Sequence, residues 1–459
     1  MAKDPPSSPD DRARSGRARR KRLPRSEHAA TPPQDGRPDP VAVLAAQGVG
    51  RVPELLPLRY ARMAAGPFPF LRGAAAVMAA DLGAAPHTGL LVQLCGDAHL
   101  LNFGLYASPE RTLLFDLNDF DETLPGPFEW DVKRLAASVA VAARDNGHDD
   151  KAARRAAGAA AAAYRRNMRR LAGLGELAVW YERVDSAEVL PLVRGRHRER
   201  VAIALERARR RTSLQALDKL AETVDGRLRI RCDPPLLAPV DSFDEATVAQ
   251  VFTDYRASLP EERRLLLDRF RRVDVARKVV GVGSVGTRCF VMLLTGRDAG
   301  DPLFLQIKEA VPSVLEAHAG PSAHRHAGHR VVAGQRLLQA AGDIFLGWAT
   351  GPGGRHFYWR QLRDMKGSAE IASMDPLLLE GYARLCGRTL ARAHARTGDR
   401  FAIAGYLGAG DTFDEAVARF ALDYADLTIA DHAALTSALT DTDTPSHTAQ
   451  PTHHGRTGA

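Results

Sequence analysis

The run Gly281-Val282-Gly283-Ser284-Val285-Gly286 is followed at once by Thr287-Arg288-Cys289-Phe290-Val291-Met292-Leu293-Leu294, whose β-branched and aromatic content reads as a strand. That order disfavours a dinucleotide-binding fold. The same glycine spacing serves there only when a helix opens at the third glycine and turns its N-terminus to a pyrophosphate. A glycine turn between two strands has a different use, since without a Cβ the backbone can approach a ligand closely. Lys308 follows 22 residues after Gly286, in the apolar stretch Phe304-Leu305-Gln306-Ile307-Lys308. Taken alone it also reads as a solvated strand lysine.

Downstream, RVVAGQRLLQAAG has helical spacing, DIFLGWATG and GRHFYWRQL read as two strands, and residues 375–397 form a long amphipathic pattern ending in Leu390-Ala391-Arg392-Ala393-His394. Glycine turn, lysine strand, helix, two strands and long helix follow one another as in the nucleotide-binding half of protein kinases. A loop of the form Asp-x4-Asn should come next, but TGDRFAIAGYLG lacks it. The loop stands instead near the front of the chain, as Gly96-Asp97-Ala98-His99-Leu100-Leu101-Asn102 after the apolar strand LLVQLC. An aspartate at such a strand end can accept or orient a hydroxyl proton, and an asparagine oxygen can ligate a divalent cation. Asp116 lies 14 residues beyond Asn102, in the strand TLLFDL and the acidic run Asp116 to Glu122. If the strands over 90–95 and 112–117 form a hairpin, Asp116 comes beside Asn102, and both would supply oxygen ligands to Mg²⁺. The other reading of the run is a loop whose carboxylates cap turns.

Reading residues 270–400 before 90–145 restores the kinase order. The expected fold is therefore α+β, a protein-kinase-like two-lobed fold, circularly permuted, with the catalytic-loop lobe first, the glycine-loop lobe second and extra helices. Chain ends at the surface make such a permutation tolerable. The division expected is a helical part with catalytic loop and metal aspartate over 45–240, a β-rich glycine-loop and lysine lobe over 250–366, and completing helices over 367–435. Residues 1–40 carry 8 of the 28 prolines and ten Lys/Arg against six Asp/Glu, with few large apolar side chains, and so read as a disordered basic tail. Residues 436–459 read as a second disordered tail.

Four scattered cysteines, Cys95, Cys232, Cys289 and Cys386, argue against a disulfide framework or a zinc site. No apolar run reaches membrane length, and no apolar stretch follows the basic N-terminus, so a cytoplasmic location with no membrane association is expected.

GDAHLLNFG, FDLNDFDETLPGPFEWDVKRLAAS, RMAAGPFPFLRGAA, GVGSVGTRCF, QRLLQAAGDIFLGW and LARAHARTGD together resemble the bacterial domain-of-unknown-function family 2252 over roughly residues 45–435. That family is itself similar to aminoglycoside-phosphotransferase-like kinases. By this resemblance Asp97 is the catalytic base, Asn102 and Asp116 are metal ligands, and Lys308 with Gly281, Gly283 and Gly286 holds the nucleotide phosphates. Asp131 matches the helix aspartate that steadies the catalytic loop through backbone hydrogen bonds. His99 would contact phosphate or orient the base, or else simply bond the loop backbone. Two positions depart from the kinase pattern, Cys95 in place of the usual histidine and Leu117-Asn118 after Asp116. The glutamate partner of the lysine is also missing: Glu316 comes too early and the helix over 330–341 offers only Gln335.

The function implied is an ATP- and Mg²⁺-dependent phosphotransferase acting on a small-molecule hydroxyl acceptor. The alternatives are a nucleotide-binding regulator without turnover and a nucleic-acid-associated protein working through the Arg12 to Arg25 run. That run has no aromatic for base stacking, so nucleic acid is the disfavoured partner. Arg72, Arg360 and Arg363 could bind a substrate anion, although most surface arginines are simply solvated. His324, His326 and His329 read as a flexible basic loop.

Overall fold

The computed structural model describes residues 8–443 apart from 34, 191–192, 194, 196, 241–243, 280 and 363–364. Arg363 and residues 1–7 and 444–459 thus lie outside the described residues. The architecture is mixed α+β. Its first third carries four short strands, β1 (Leu91–Leu94), β2 (Phe103–Ala107), β3 (Leu113–Leu117) and β4 (Leu124–Pro127). β1 pairs antiparallel with β4, and the hairpin is β2 with β3, so the strand over 90–95 is not the hairpin partner of the strand over 112–117. β2 supplies that partner, and it sets Gly104 opposite Asp116.

The helix Phe128–Asp145 starts directly after β4, and its residues 128–143 are all buried. A helix covered on every side needs small residues, and Ala136, Ala137, Ala140, Ala142 and Ala143 provide them. The alanine-rich helix Asp150–Ala172 and the helix Pro376–Ala395 come into backbone contact, since a Cβ on Gly387 would stand 2.1 Å from the carbonyl oxygen of Ala160. Any larger residue at Gly387 would force the two helices apart.

The hairpin β5 (Ala221–Val224) and β6 (Arg227–Ile230) leads to β7 (Leu237–Pro239), β8 (Arg271–Lys278), β9 (Cys289–Thr295), β10 (Pro302–Ala310), β11 (Gly347–Thr350) and β12 (His356–Gln361). The last six form one antiparallel sheet in the order β11-β12-β10-β9-β8-β7. β10 lies inside it and is buried along its whole length, Gln306, Lys308 and Glu309 included. The Ala327–Leu338 helix lies against β10, β11 and β12, and Tyr255 stacks on Trp359 at 4.3 Å. A two-residue strand, β13 (Gly367–Ser368), returns to pair with β2.

The expectation of a disordered tail over 1–40 does not hold for the described residues of that stretch. Residues Pro9–Ala18 form a helix, capped by Ser8 and crossing the helix Arg400–Leu407 at glycine contacts. A Cβ on Gly16 would meet the Ala402 carbonyl oxygen at 1.9 Å, and one on Gly405 would meet that of Ala13 at 2.2 Å. The basic side chains finish the attachment: Arg20 donates to the carbonyl of Tyr406 at 2.8 Å and Arg25 to that of Leu407 at 2.6 Å, both at a helix C-terminus, where cations are favoured. Composition misses this because close backbone packing and arginine-to-carbonyl bonds replace large apolar side chains. The last helix runs Thr412–Asp443, so disorder from 436 onward does not hold for 436–443.

The cysteines are all free thiols. Among the described residues no helix is long and apolar enough to cross a membrane.

Candidate active site

β1 ends at Leu94, and Gly96 turns the chain with φ +86°; a Cβ there would stand 2.2 Å from the Glu122 carbonyl oxygen. Asp131, in the first turn of the Phe128–Asp145 helix, accepts the N–H of Cys95 at 2.8 Å and that of Gly96 at 3.1 Å. This is the loop-steadying role read from the sequence. Asn102 Nδ2 donates to the Asp97 carbonyl at 2.7 Å, and the His99 N–H donates to the same oxygen at 2.8 Å. The loop is thus fixed by backbone bonds that leave the Asp97 carboxylate out of the scaffolding. Arg134, one helical turn after Asp131, donates from Nε to Asp97 Oδ1 at 2.8 Å.

His99 Nδ1 accepts the Leu101 N–H at 3.2 Å, and its Nε2 lies 3.7 Å from Asp97 Oδ2. Burial pushes its pKa down to about 3, so the ring is neutral near pH 7. With Nδ1 accepting, the hydrogen sits on Nε2 and faces Asp97.

Lys308 reaches across from β10. Its Nζ is 2.5 Å from Asp121 Oδ2 and 3.8 Å from Asp119 Oδ1, while the Tyr358 hydroxyl donates to Asp121 Oδ1 at 2.6 Å. Burial works against the charge on Lys308, but Asp119 and Asp121 outweigh it and hold the ammonium protonated. Burial and the neighbouring charge of Asp121 push the Asp119 carboxyl up, whereas Lys308 and Tyr358 overcome burial at Asp121 and bring it down. Arg360 donates to the Asn118 carbonyl and to Gln306 Oε1, both at 3.0 Å, closing the floor beside this pair.

Asp116 is engaged within the protein. It is 1 % exposed, its Oδ1 is ion-paired with Arg392, and its Oδ2 accepts the Ala340 N–H at 2.8 Å. The structure therefore brings together Asp97, Asn102, Asp119, Asp121 and Lys308, and leaves Asp116 as a buried tie to the helix Pro376–Ala395. The signal that distinguishes them is position: Asp116 lies within β3, whereas Asp119 and Asp121 follow its end. Gln335 and Glu316 do not partner the lysine, since Gln335 bonds Gln339 at 2.8 Å and Glu316 accepts the Ser313 N–H at 3.0 Å.

The glycine turn joins β8 to β9 above this group, with Gly281 at φ +56° and Gly286 at φ +87°. Ser284 Oγ is 3.4 Å from Asp121 Oδ2. The turn is held from outside by the segment before β1: Arg51 donates to the carbonyls of Gly283 and Val285, Arg62 to that of Gly281 at 2.7 Å, and the Val52 N–H to that of Gly286 at 2.8 Å. None of these clamping residues is conspicuous in the sequence.

Among the described residues no three His, Cys, Asp or Glu side chains form a metal cage. The three histidines of 324–329 are packed: His326 stacks on His356 at 3.9 Å and His329 on Trp348 at 4.2 Å. A cavity of about 1470 Å³ opens behind β2 and β3, between Phe115, Tyr382 and the helix His197–Arg209, and none of the five converging residues lines it.

No curated protein and no solved structure matches the chain. A sequence model described as "Uncharacterized protein conserved in bacteria (DUF2252)" matches residues 51–438, and the chain belongs to this family.

Proposed function

We propose that the chain is an ATP- and Mg²⁺-dependent phosphotransferase with a circularly permuted, kinase-like arrangement, acting on a hydroxyl of a small molecule. One observation carries the reading: Lys308, on the strand after a glycine hairpin, meets Asp121 and Asp119, which follow the Asp97–Asn102 loop by one hairpin. The order of β8 to β12, with a helix between β10 and β11, supports it. In this reading the sequence assignment of Asp116 to the metal passes to Asp119 and Asp121.

Asn102, Asp119 and Asp121 are the residues that would hold Mg²⁺. Their chemistry fits a hard cation that keeps most of its ligands from water and phosphate. Two partly exposed carboxylates close enough to raise one another's proton affinity gain from a nearby cation, and Lys308 fills that role in this structure. When bound, the ion would neutralise charge on the nucleotide phosphates. Lys308 would then turn to the phosphates, the glycine turn would cover them with backbone, and Asp97 would orient the acceptor hydroxyl and take its proton. His99, neutral, would hold Asp97 in place through its Nε2 hydrogen.

Thermal unfolding with ATP and Mg²⁺ tests the reading. A ligand that binds only the folded state raises stability by about 2.7 kcal/mol at one hundred times its dissociation constant. A metal-dependent rise lost in Lys308→Ala is expected, and no rise at saturating nucleotide would overturn the reading. One contact favours a nucleotide-binding protein without turnover, the Arg134–Asp97 ion pair, because the guanidinium already occupies Asp97 Oδ1, an oxygen that could otherwise receive the acceptor hydroxyl. Phosphate transfer by the wild type that vanishes in Asp97→Asn, with nucleotide binding intact, decides against that alternative.

A further inference from the structure

Arg72 lies in the last turn of the short helix Pro67–Gly73, at the boundary between the catalytic loop and the glycine turn. Two contacts of its neighbourhood fix that place. The Leu71 carbonyl accepts Arg134 Nη2 at 2.7 Å, and the same guanidinium holds Asp97. On the other side, a Cβ on Gly283 would stand 3.3 Å from the Arg72 carbonyl oxygen.

Among the described residues no hydrogen bond to its side chain accounts for it. Nε is buried without a hydrogen bond, and among the described residues no carboxylate closes an ion pair with the guanidinium. The contrast with its neighbours is sharp, because Arg51, Arg62 and Arg134 all end on carbonyl or carboxylate oxygens. Burial works against its charge and Asp97 offsets part of that, while the charge adds to the burial that keeps His99 unprotonated. A guanidinium presents up to five donors in a planar fork that matches a tetrahedral oxyanion.

We infer that Arg72 binds the terminal phosphoryl group of the nucleotide, between Asp97 and the glycine turn, opposite Lys308. The inference rests on the phosphotransferase reading and adds the residue that would distinguish a nucleoside triphosphate from a diphosphate. A charged donor aimed at the group in transfer stabilises the charge that spreads over its oxygens.

Calorimetric titration of the full chain tests it, with ATP and Mg²⁺, ADP and Mg²⁺, and inorganic phosphate as probes, on the wild type, Arg72→Met and Arg72→Lys. The wild type is expected to prefer ATP to ADP by about tenfold or more, and Arg72→Met to lose about that factor for ATP while ADP affinity stays within about twofold. Arg72→Lys should recover part of the loss. Because the side chain has no hydrogen bond to lose among the described residues, Arg72→Met should unfold at the wild-type temperature; should it fail to fold, the Lys variant carries the same comparison. Equal loss for ATP and ADP, or loss for neither, overturns the role of Arg72 alone. Phosphate binding that depends on Arg72 while the ATP to ADP ratio does not would place the arginine on an acceptor-borne phosphate and likewise overturn it. Absence of any nucleotide binding by the wild type overturns the phosphotransferase reading beneath it.

Discussion

His394 Nε2 stands 3.1 Å from Asp131 Oδ2, joining residues 263 positions apart in sequence. The Tyr164 hydroxyl meets the other ring nitrogen at 2.9 Å. The carboxylate that holds the Cys95 and Gly96 backbone is thus anchored by the long helix Pro376–Ala395. Asp131→Ala leaves two buried backbone donors and the histidine without their acceptor, and about 3 kcal/mol of stability should be lost. Denaturant unfolding checks this, with His394→Asn expected to lose less because both backbone bonds survive.

The three aspartates after Asn102 should separate cleanly. Asp116→Asn leaves Arg392 buried beside a neutral partner, so about 3 kcal/mol or more of stability should go. Asp119→Asn removes a carboxylate whose proton affinity is already raised by Asp121, and unfolding should be little changed or shifted upward. In the same samples the stabilisation by ATP and Mg²⁺ should vanish for Asp119→Asn and persist for Asp116→Asn. The opposite pattern would return the metal role to Asp116.

Much of this site was legible because its chemistry is local. Gly96, Asp97 and Asn102 fall within one short loop, Asp131 is marked by the family resemblance, and the glycine turn and the β10 lysine announce themselves by residue type. The choice among Asp116, Asp119 and Asp121 was not legible, since it depends on where β3 ends and on Arg392 arriving from 276 residues away. The same holds for the glycine-turn clamp: Arg51 and Arg62 act on carbonyls more than 200 residues downstream, and nothing in the sequence around either arginine announces that. The hairpin over 221–230 was hidden for a simpler reason. AETV and RLRI are short and half polar, so they continue the helical composition before them.

Docking of the N-terminal segment turns on Arg37, which lies between two carboxylates. Its guanidinium donates to Asp81 at 2.7 and 2.9 Å and to Asp431 at 2.7 Å, with all three side chains nearly buried. Arg37→Met leaves two anions facing each other, and about 3–5 kcal/mol should be lost. Adding Asp81→Asn should restore part of that loss, a non-additivity that a double-mutant cycle by urea unfolding reads directly. Strictly additive losses would mean that Arg37 acts only by packing.

Glu122 gives a pH dependence of known sign. Burial pushes its carboxyl up from 4.5 to about 6, against the pull of Arg330 and of the Val314 N–H, which Oε2 accepts at 2.8 Å. The folded state therefore binds this proton more tightly than the unfolded chain. Its contribution is fully present below pH 4.5 and is lost as pH rises through 6, by about 1–2 kcal/mol once partial exposure is allowed for. Glu122→Gln keeps an acceptor for Val314 and removes the titration. Urea midpoints of both proteins at pH 4.5 and 7.5 should show the variant gaining on the wild type at the higher pH by that amount. A difference that stays constant between the two pH values would mean that Arg330 keeps Glu122 ionised throughout, and that the carboxylate accepting the Val314 N–H is a stable charge.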